Sequence, residues 1–543
     1  VMLPFISASR LGRGDMGSGQ GRMRKTNWDV IVVGAGSAGS VLAARIAAGG
    51  KRVLLLEAGR DSRSAELPEN WRSPNPMVGL MDPAASADLL WWDLTSSRTM
   101  GRPHLLYARG RGVGGSSVVN GQIAIRPPVE DFEEWTRLGC KGWAWHDVLP
   151  YFVRLEDDET FGDLAYHGRG GPTPIHRTPR DAWGAVDRAL AESAVAAGFP
   201  WQADVNAPGA SGVSPYPVNS RDGRRVSVND GYLEPVRALK NLAVRGDALV
   251  DTVVFEGQRA IGVRVIIGGR SVVEYADEVV LSAGAVHSPA VLMRSGIGPA
   301  SRLRTLGIPV RQDLPVGLGL QDHAIARLSL PLQTDHAIAS QHERHTNVCV
   351  RWSSASGTQT NDLLVMALNQ DVWAMAAGDF GTRAGAFGVV LNKAHSRGSL
   401  TLVSTDPTVH PRIDERMLSD ERDLSVLREG VRTVAELSDH ASVSRLLSRS
   451  LREANQPLLD ALPGDRALDE YLLTTVADVQ HATSTCRMGA PDGTDTVVDS
   501  SCRVLGTEGL RVVDASVFPA VPRANTNLTT VMVAELMSDR LAD

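Results

Sequence analysis

Two rhythms of apolar residues divide the chain. Between Trp28 and Gly59 the sequence WDVIVVGAGSAGSVLAARIAAGGKRVLLLEAG carries short, uninterrupted apolar blocks. Val30–Val33 and Val53–Leu56 lack polar alternation, which predicts strands buried on both faces, and the small residues from Ser40 to Ala48 predict a helix between them. The three together read as a β-α-β unit. In the second half the rhythm changes. The stretches NVCVRW at 347–352, DLLVMAL at 362–368, GAFGVVLNK at 385–393 and GSLTLVS at 398–404 predict an antiparallel sheet. Leu424, Leu427, Val431 and Val434 recur at spacings of 3, 4 and 3, one face of a helix that covers such a sheet. Residues 70–103, rich in Pro, Ser and Asp around Trp91 and Trp92, fit neither rhythm and predict a long loop of the lid or binding kind.

At 543 residues the chain exceeds what one core usually supports, so two domains, interleaved or sequential, are expected. Lys and Arg total 56 against 62 Asp and Glu, without long like-charge blocks. That balance excludes nucleic acid or an anionic membrane as the main partner and leaves a small molecule. Cys140, Cys349, Cys486 and Cys502 form no CxxC pair and no Cys/His cluster at zinc spacing, so neither a disulfide framework nor a bound metal is signalled and a cytoplasmic location is expected. No apolar run reaches the length of a membrane span. Residues 1–26 open on VMLPFI, too short for a signal-peptide core, and read as a flexible extension in which Met16 and Met23 are candidate starts.

Between the first predicted strand and its helix lies Gly34-Ala-Gly36-Ser-Ala-Gly39. One glycine makes the turn, one lets the backbone approach a pyrophosphate and one packs helix on strand, with helix-terminal N–H groups facing the phosphate charge. Glu57 ends the second strand, where an acid binds a ribose hydroxyl pair. These features point to an adenine dinucleotide and leave NAD and FAD open. A second glycine loop, YARGRGVGGSSVVNGQIAIRP from Tyr107 to Pro127, offers bare backbone and the hydroxyls of Ser116 and Ser117 to a flat or anionic ligand.

Near the far end, DVQHATSTCRMG (478–489) places His481 close to Cys486. The segment alone admits a cysteine nucleophile, a metal-ligand pair or a histidine base. Elsewhere His342 and His345, in QHERH, lack HExxH spacing and read as solvated loop residues.

The run Gly110-Arg-Gly-Val-Gly-Gly-Ser-Ser-Val-Val-Asn120, the segment from Gly284-Ala-Val-His-Ser-Pro289 to Gly298-Pro299, and Val316-Gly-Leu-Gly-Leu-Gln-Asp-His323 resemble signatures of the glucose-methanol-choline (GMC) oxidoreductases. Gly319 stands where that family usually has Asn. The resemblance, from Asp29 to Leu541, implies an α/β chain, α+β overall. It would hold a Rossmann-like FAD-binding domain with a parallel sheet at 27–150, 225–310 and 480–543. A substrate-binding domain with an antiparallel sheet and helices would be interleaved at 151–224 and 311–479.

It further implies that His481 is the base that takes the hydroxyl proton while hydride passes from an alcohol carbon to flavin N5, and that Asn525 is its hydrogen-bonding partner. Cys486 then becomes a small buried hydrophobe. The implied FAD contacts are Gly34, Gly36, Ser37, Ala38, Gly39, Glu57 and Ala58 at the first loop. Gly115, Ser116, Asn120, Gly121, Gln122 and Ile123 would lie along the flavin, Val250 at the adenine and Asp514 with Ala515 at the pyrophosphate end. Asn525, Thr526 and Asn527 would meet it at the start of a final helix. Val119 occupies the position from which some members attach FAD covalently through His, so non-covalent FAD is expected. The expected partners are an alcohol and an electron acceptor, whether O2, a quinone or a carrier, and a homo-oligomer is compatible with them. Two rivals share the flavin: a hydroxynitrile-lyase-like protein without net redox, and a catalytically silent flavoprotein.

Overall fold

The computed structural model describes residues 27–371 and 383–542; the extension expected at 1–26 lies outside them. β1 (Trp28–Val33), α1 (Gly39–Ala48) and β2 (Val53–Leu56) form the β-α-β unit within a residue or two of the sequence reading. Both strands are central. The parallel part of the sheet runs in the order Leu242–Arg245, β2, β1, the far half of Arg270–Leu281, then Leu510–Val512. Ile31, Val32, Leu54 and Leu55 are therefore fully buried, which is what unbroken apolar blocks require. The near half of Arg270–Leu281 turns antiparallel and pairs with Arg259–Ile267, which pairs in turn with Ala248–Glu256. On one side α1 packs on the last helix, Thr526–Ala542, where the buried Glu535 takes Arg45 at 2.8 Å and the Tyr232 hydroxyl at 2.8 Å.

A second, six-stranded sheet is antiparallel throughout, in the order Ala477–Asp478, Ala324–Pro331, Ala384–Leu391, Leu363–Leu368, Val348–Trp352 and Gly212–Pro215. Helix Glu421–Ser438 lies on it and buries Leu424, Leu427, Val431 and Val434. The fourth predicted stretch departs from this sheet. Gly398–Thr401 pairs instead with Leu318–Leu320 and Arg412–Asp414, because Leu400, Leu402 and Ile413 are buried in the core of the parallel sheet rather than that of the antiparallel one.

Residues 70–103 are also better ordered than a loop. Short helices Glu69–Arg72, Pro76–Leu80 and Pro83–Ser86 precede a strand at Thr95–Ser97. The Asn75 and Asp82 side chains cap the second and third by accepting backbone N–H bonds, and Pro opens each, both favoured at a helix start. Trp71 is buried and donates its indole N–H to Ala85 O at 3.0 Å. Of the two histidines read as solvated, His342 is exposed, but His345 is buried and burial pushes its imidazole down to about 3; the polar run QHERH hid its inward turn.

Buried ion networks tie the segments together. Arg126 donates to Glu156 at 2.8 Å, Arg177 to Asp158 at 2.9 Å and to Asp204 at 3.0 Å, and His167 bridges Glu156 and Asp204 at 2.9 Å each. Glu156, Asp158 and His167 are close enough together to hold a metal ion, yet their carboxylates already serve the two guanidinium groups. Between the two cores, Asp131 accepts from Lys393 at 3.2 Å and from Arg523 Nε at 3.1 Å. All four cysteines are free thiols and buried. Among the described residues no helix is long and apolar enough to cross a membrane.

Candidate active site

The glycines of the first loop divide the work. Gly34 has φ +95° and makes the turn out of β1, while a Cβ on Gly39 would sit 1.8 Å from Gly34 O, so helix can meet strand only through hydrogen. A Cβ on Gly36 would meet nothing of the protein closer than Gly115 Cα at 4.0 Å. Gly36 thus faces space rather than packing. Gly115, at φ +50°, approaches it from the second loop, where its own Cβ would fall 2.7 Å from Gly36 Cα. The two bare loops make a cradle of the kind an FAD pyrophosphate occupies.

Glu57 anchors that cradle. Its carboxylate accepts Ala35 N at 2.8 Å, Gly59 N at 2.9 Å and Gly112 N at 3.0 Å, joining both loops and leaving lone-pair capacity for a ribose hydroxyl. Ala58 follows it, half-buried. Ser37 Oγ donates to Asn527 Oδ1 at 2.9 Å, and this closes α1's first turn onto the start of the last helix at Thr526, with Ala38 buried beneath. Ser116 Oγ accepts Gly110 N at 3.1 Å. Asn120 Oδ1 accepts Gln122 N and Arg225 Nη1, each at 2.9 Å, so its carboxamide oxygen faces the protein. Gln122, after Gly121, has φ +65° and sends its amide to Ser73 O and Pro74 O, while its backbone C=O accepts Asn219 N at 2.8 Å. Ile123 bridges to Val218 in an apolar cluster. Val250 is buried beside a β-bulge. Asp514 accepts Gly284 N at 2.9 Å and Ser288 Oγ at 2.6 Å and caps the turn that begins at Ala515.

At the other end of the cradle the structure brings His481 and Asn525 together, with Asn525 Nδ2 lying 3.2 Å from His481 Nε2. A third residue completes the group. His323 Nδ1 lies 2.8 Å from His481 Nδ1, and His323 Nε2 lies 3.0 Å from Pro522 O. That chain fixes every proton in it. A carbonyl can only accept, so His323 carries its proton on Nε2. Burial holds His323 down at about 4, so it is neutral and its Nδ1 is a bare acceptor. His481 must then donate from Nδ1. Burial, followed by the proximity of the His323 ring and the Arg109 guanidinium, holds His481 well below the ordinary histidine range, so its Nε2 is a bare lone pair that receives the Asn525 N–H. The site thus presents one base and one neutral donor side by side, the pair that a hydroxyl group losing its proton needs.

His323 sits in the segment that carried a signature in the sequence but no assigned role. Gly319, in the same segment, has φ +83°, a left-handed position that Asn also tolerates. Cys486 is buried, and burial together with Asp514 raises its thiol well above the ordinary range, the opposite of an activated nucleophile.

The GMC oxidoreductase family matches the chain over residues 28–325 with its N-terminal part and over 394–534 with its C-terminal part. A 5-(hydroxymethyl)furfural oxidase of Methylovorus sp. (strain MP688) is 38% identical, with 96% of this chain and 99% of the relative covered. An oxygen-dependent choline dehydrogenase of Pseudomonas aeruginosa (strain LESB58) is 33% identical, covering 95% of this chain and 94% of the relative. Among solved structures, pyridoxine 4-oxidase from Mesorbium loti superposes with a TM-score of 0.84 at 28% identity over 95% of this chain and 99% of that one. The chain belongs to the GMC oxidoreductase family and is an FAD-dependent oxidoreductase acting on the CH–OH group of a small-molecule alcohol.

Proposed function

We propose that this enzyme oxidises a neutral alcohol with an apolar body, with His481 Nε2 as the base and Asn525 as the donor that holds the developing alkoxide. The hydrogen-bond chain from Pro522 O through His323 carries this reading, because it leaves His481 Nε2 bare and aimed at the Asn525 amide. FAD, when bound, supplies the hydride acceptor. Gly34, Gly36, Ser37, Ala38, Gly39, Glu57 and Ala58 would hold its diphosphate and ribose. Gly115, Ser116, Asn120, Gly121, Gln122 and Ile123 would lie along its ring, with Val250 at the adenine and Asp514, Ala515, Thr526 and Asn527 closing the site. Val119 has no imidazole to bond the flavin, which supports non-covalent attachment. The residue ranges expected for the two domains serve as a working division only, because Leu400, Leu402 and Ile413, inside the range expected for the substrate domain, are buried in the core of the parallel sheet. Four free thiols fit a cytoplasmic setting.

The substrate class follows from charge and surface. Acids near His481 are already engaged: Asp322 takes Tyr107 OH at 2.6 Å and Asp478 pairs with Arg98 at 2.5 Å. The charged neighbour that acts on His481 is Arg109, a cation. Nothing there suits an ammonium group. Ile123, Tyr216, Val218, Ile325, Val390 and Ala524 form an apolar cluster that reaches the flavin loop through Ile123 and the active-site pair through Ala524. An aryl or furanic primary alcohol fits this setting better than choline, and the 38% identical relative bears the name of a furan alcohol oxidase. By the same likeness O2 is the acceptor favoured over a quinone or carrier.

Anaerobic stopped-flow reduction tests the reading. An aryl or furanic alcohol should bleach the flavin faster than choline, and air should restore the colour. His481→Ala should keep its FAD, all releasable by acid, yet slow reduction by roughly 10²- to 10⁴-fold. Asn525→Ala should fall less, and the double variant should lose less than the product of the two. Near-wild-type reduction in His481→Ala would remove the base assignment, and bleaching by no alcohol would favour a protein without net redox.

A further inference from the structure

His481 stands in a turn that the chain would not adopt unaided. Gln480 before it has φ +67° and Ser484 after it φ +69°, left-handed values that non-glycine residues hold only where their surroundings over-determine them. The surroundings are specific. Asp322 Oδ1 accepts the backbone N–H of His481 at 2.8 Å and that of His323 at 2.7 Å. Its Oδ2 accepts the Tyr107 hydroxyl at 2.6 Å. Arg109 lies over the Tyr107 ring with its guanidinium carbon 3.8 Å from the centroid, and it donates to Gln480 Oε1 at 2.8 Å. Gln321 and Thr483 then exchange backbone hydrogen bonds, so residues 321–323 and 481–483 run side by side. Tyr107 and Arg109 directly precede Gly110, where the second glycine loop begins.

We propose that Asp322 is a positioning residue, a single buried carboxylate that pins the backbones of both imidazoles in the proton-accepting pair and locks them through Tyr107 to the glycine loop of the cofactor cradle. The proposal rests on His481 being the base. Ring contact with His323 alone would leave the His481 imidazole free to swing with its peptide; the Asp322 bond removes that freedom. The carboxylate's hydrogen bonds go to the two histidine peptides and to Tyr107, so its removal loosens the aim of the base before it loosens any other part of the core. Burial, followed by Asp478, pushes Asp322 up to about 7, so near neutral pH an asparagine there removes part of a negative charge that faces Arg109 at 3.7 Å while keeping the shape. Its Oδ1 still accepts both N–H groups, and its amide can donate to the tyrosine oxygen.

The test is a cycle of Asp322→Ala and His481→Ala, with Asp322→Asn and Tyr107→Phe beside it, read by anaerobic flavin reduction and by FAD content. A misplaced base costs roughly 10²-fold. Asp322→Ala should slow reduction by about 10- to 100-fold with a smaller change in KM, and Asp322→Asn should recover most of that loss. Tyr107→Phe, which removes one hydroxyl, should lose less than Asp322→Ala while keeping full FAD. In the His481→Ala background, Asp322→Ala should cost almost nothing further, because no base is left to aim. Fully multiplicative losses in the cycle, or Asp322→Asn as slow as Asp322→Ala, would overturn the positioning role while leaving the base assignment intact. Near-wild-type reduction in His481→Ala alone would instead sink the base assignment and this proposal with it. Should Asp322→Ala not fold, a Tyr107→Phe enzyme as fast as wild type would overturn the lock, and a slowed one that keeps its FAD would support it.

Discussion

A histidine's value here is set by what surrounds its ring rather than by its type. His323, His345 and His481 are all held neutral by burial, but only His323 and His481, in the chain Pro522–His323–His481, are wired so that one ring orients the other. His345 shows the contrasting case. Its Nδ1 finds no partner among the described residues and its folded value lies at about 3 against 6.5 in the open chain. The sign is then fixed: between those values the unfolded chain binds a proton that the folded one refuses, so this group's contribution is present above pH 6.5 and is lost as pH falls. His345→Gln should therefore flatten the acid side of the stability profile. The wild type should lose up to about 1.4 kcal/mol per pH unit relative to the variant over that window, as measured by urea unfolding at stepped pH. A constant offset between the two proteins across pH 7 to 4 would show that His345 titrates normally.

Elements were legible where the local pattern decides them. The apolar blocks at Val30–Val33 and Val53–Leu56, the glycine spacing after the first and the 3-4-3 stripe of Leu424 to Val434 each state their own structure, because burial on both faces or on one helical face constrains every residue in the run. The partners of His481 were not legible in the same way. His323 lies 158 residues away in sequence and Asp322 159, and nothing in either segment announces which backbone N–H its side chain will meet. GSLTLVS misled for a related reason: its alternation is real, but alternation does not say which of two cores lies beneath it. Residues 70–103 looked like a loop because proline opens each of two helices too short to show a periodicity. At this scale the first loop yields a contrast. Gly36→Ala should leave the apoprotein's melting temperature nearly unchanged, since its Cβ enters space the protein does not use, yet it should lower bound flavin per chain. Gly39→Ala should lower both, since its Cβ collides with Gly34 O. Comparing flavin absorbance with circular-dichroism melts separates the two, and equal loss of fold in both variants would mean that Gly36 packs against protein after all.

The molecule as a whole works only if a base carried by one stretch, an amide at the head of the last helix and a cradle built from the first quarter of the chain keep one geometry. Asp131 sits where these meet. From helix Val129–Arg137 it accepts Lys393, at the end of a strand of the antiparallel sheet, and both the backbone N–H and the guanidinium of Arg523. Arg523 reaches on to Thr360 at 2.7 Å, and Asn525 follows two residues later. The two cations hold the Asp131 carboxyl below its usual range against the opposing pull of burial. Two buried cations on one acid make the acid costly to remove: a broken buried pair typically loses about 3–5 kcal/mol, because the partner is left charged and dry. Asp131→Asn keeps the shape and most of the hydrogen bonds but leaves Lys393 with Glu134 as its one acid and Arg523 with the carbonyl and hydroxyl of Thr360. It should destabilise the enzyme by about 3 kcal/mol or more in urea unfolding, and it should slow flavin reduction even in the fraction that retains FAD, since the peptide that leads to Asn525 loses its anchor. A loss under about 1 kcal/mol in Asp131→Asn would show that water reaches this junction and that the two cores are held together elsewhere.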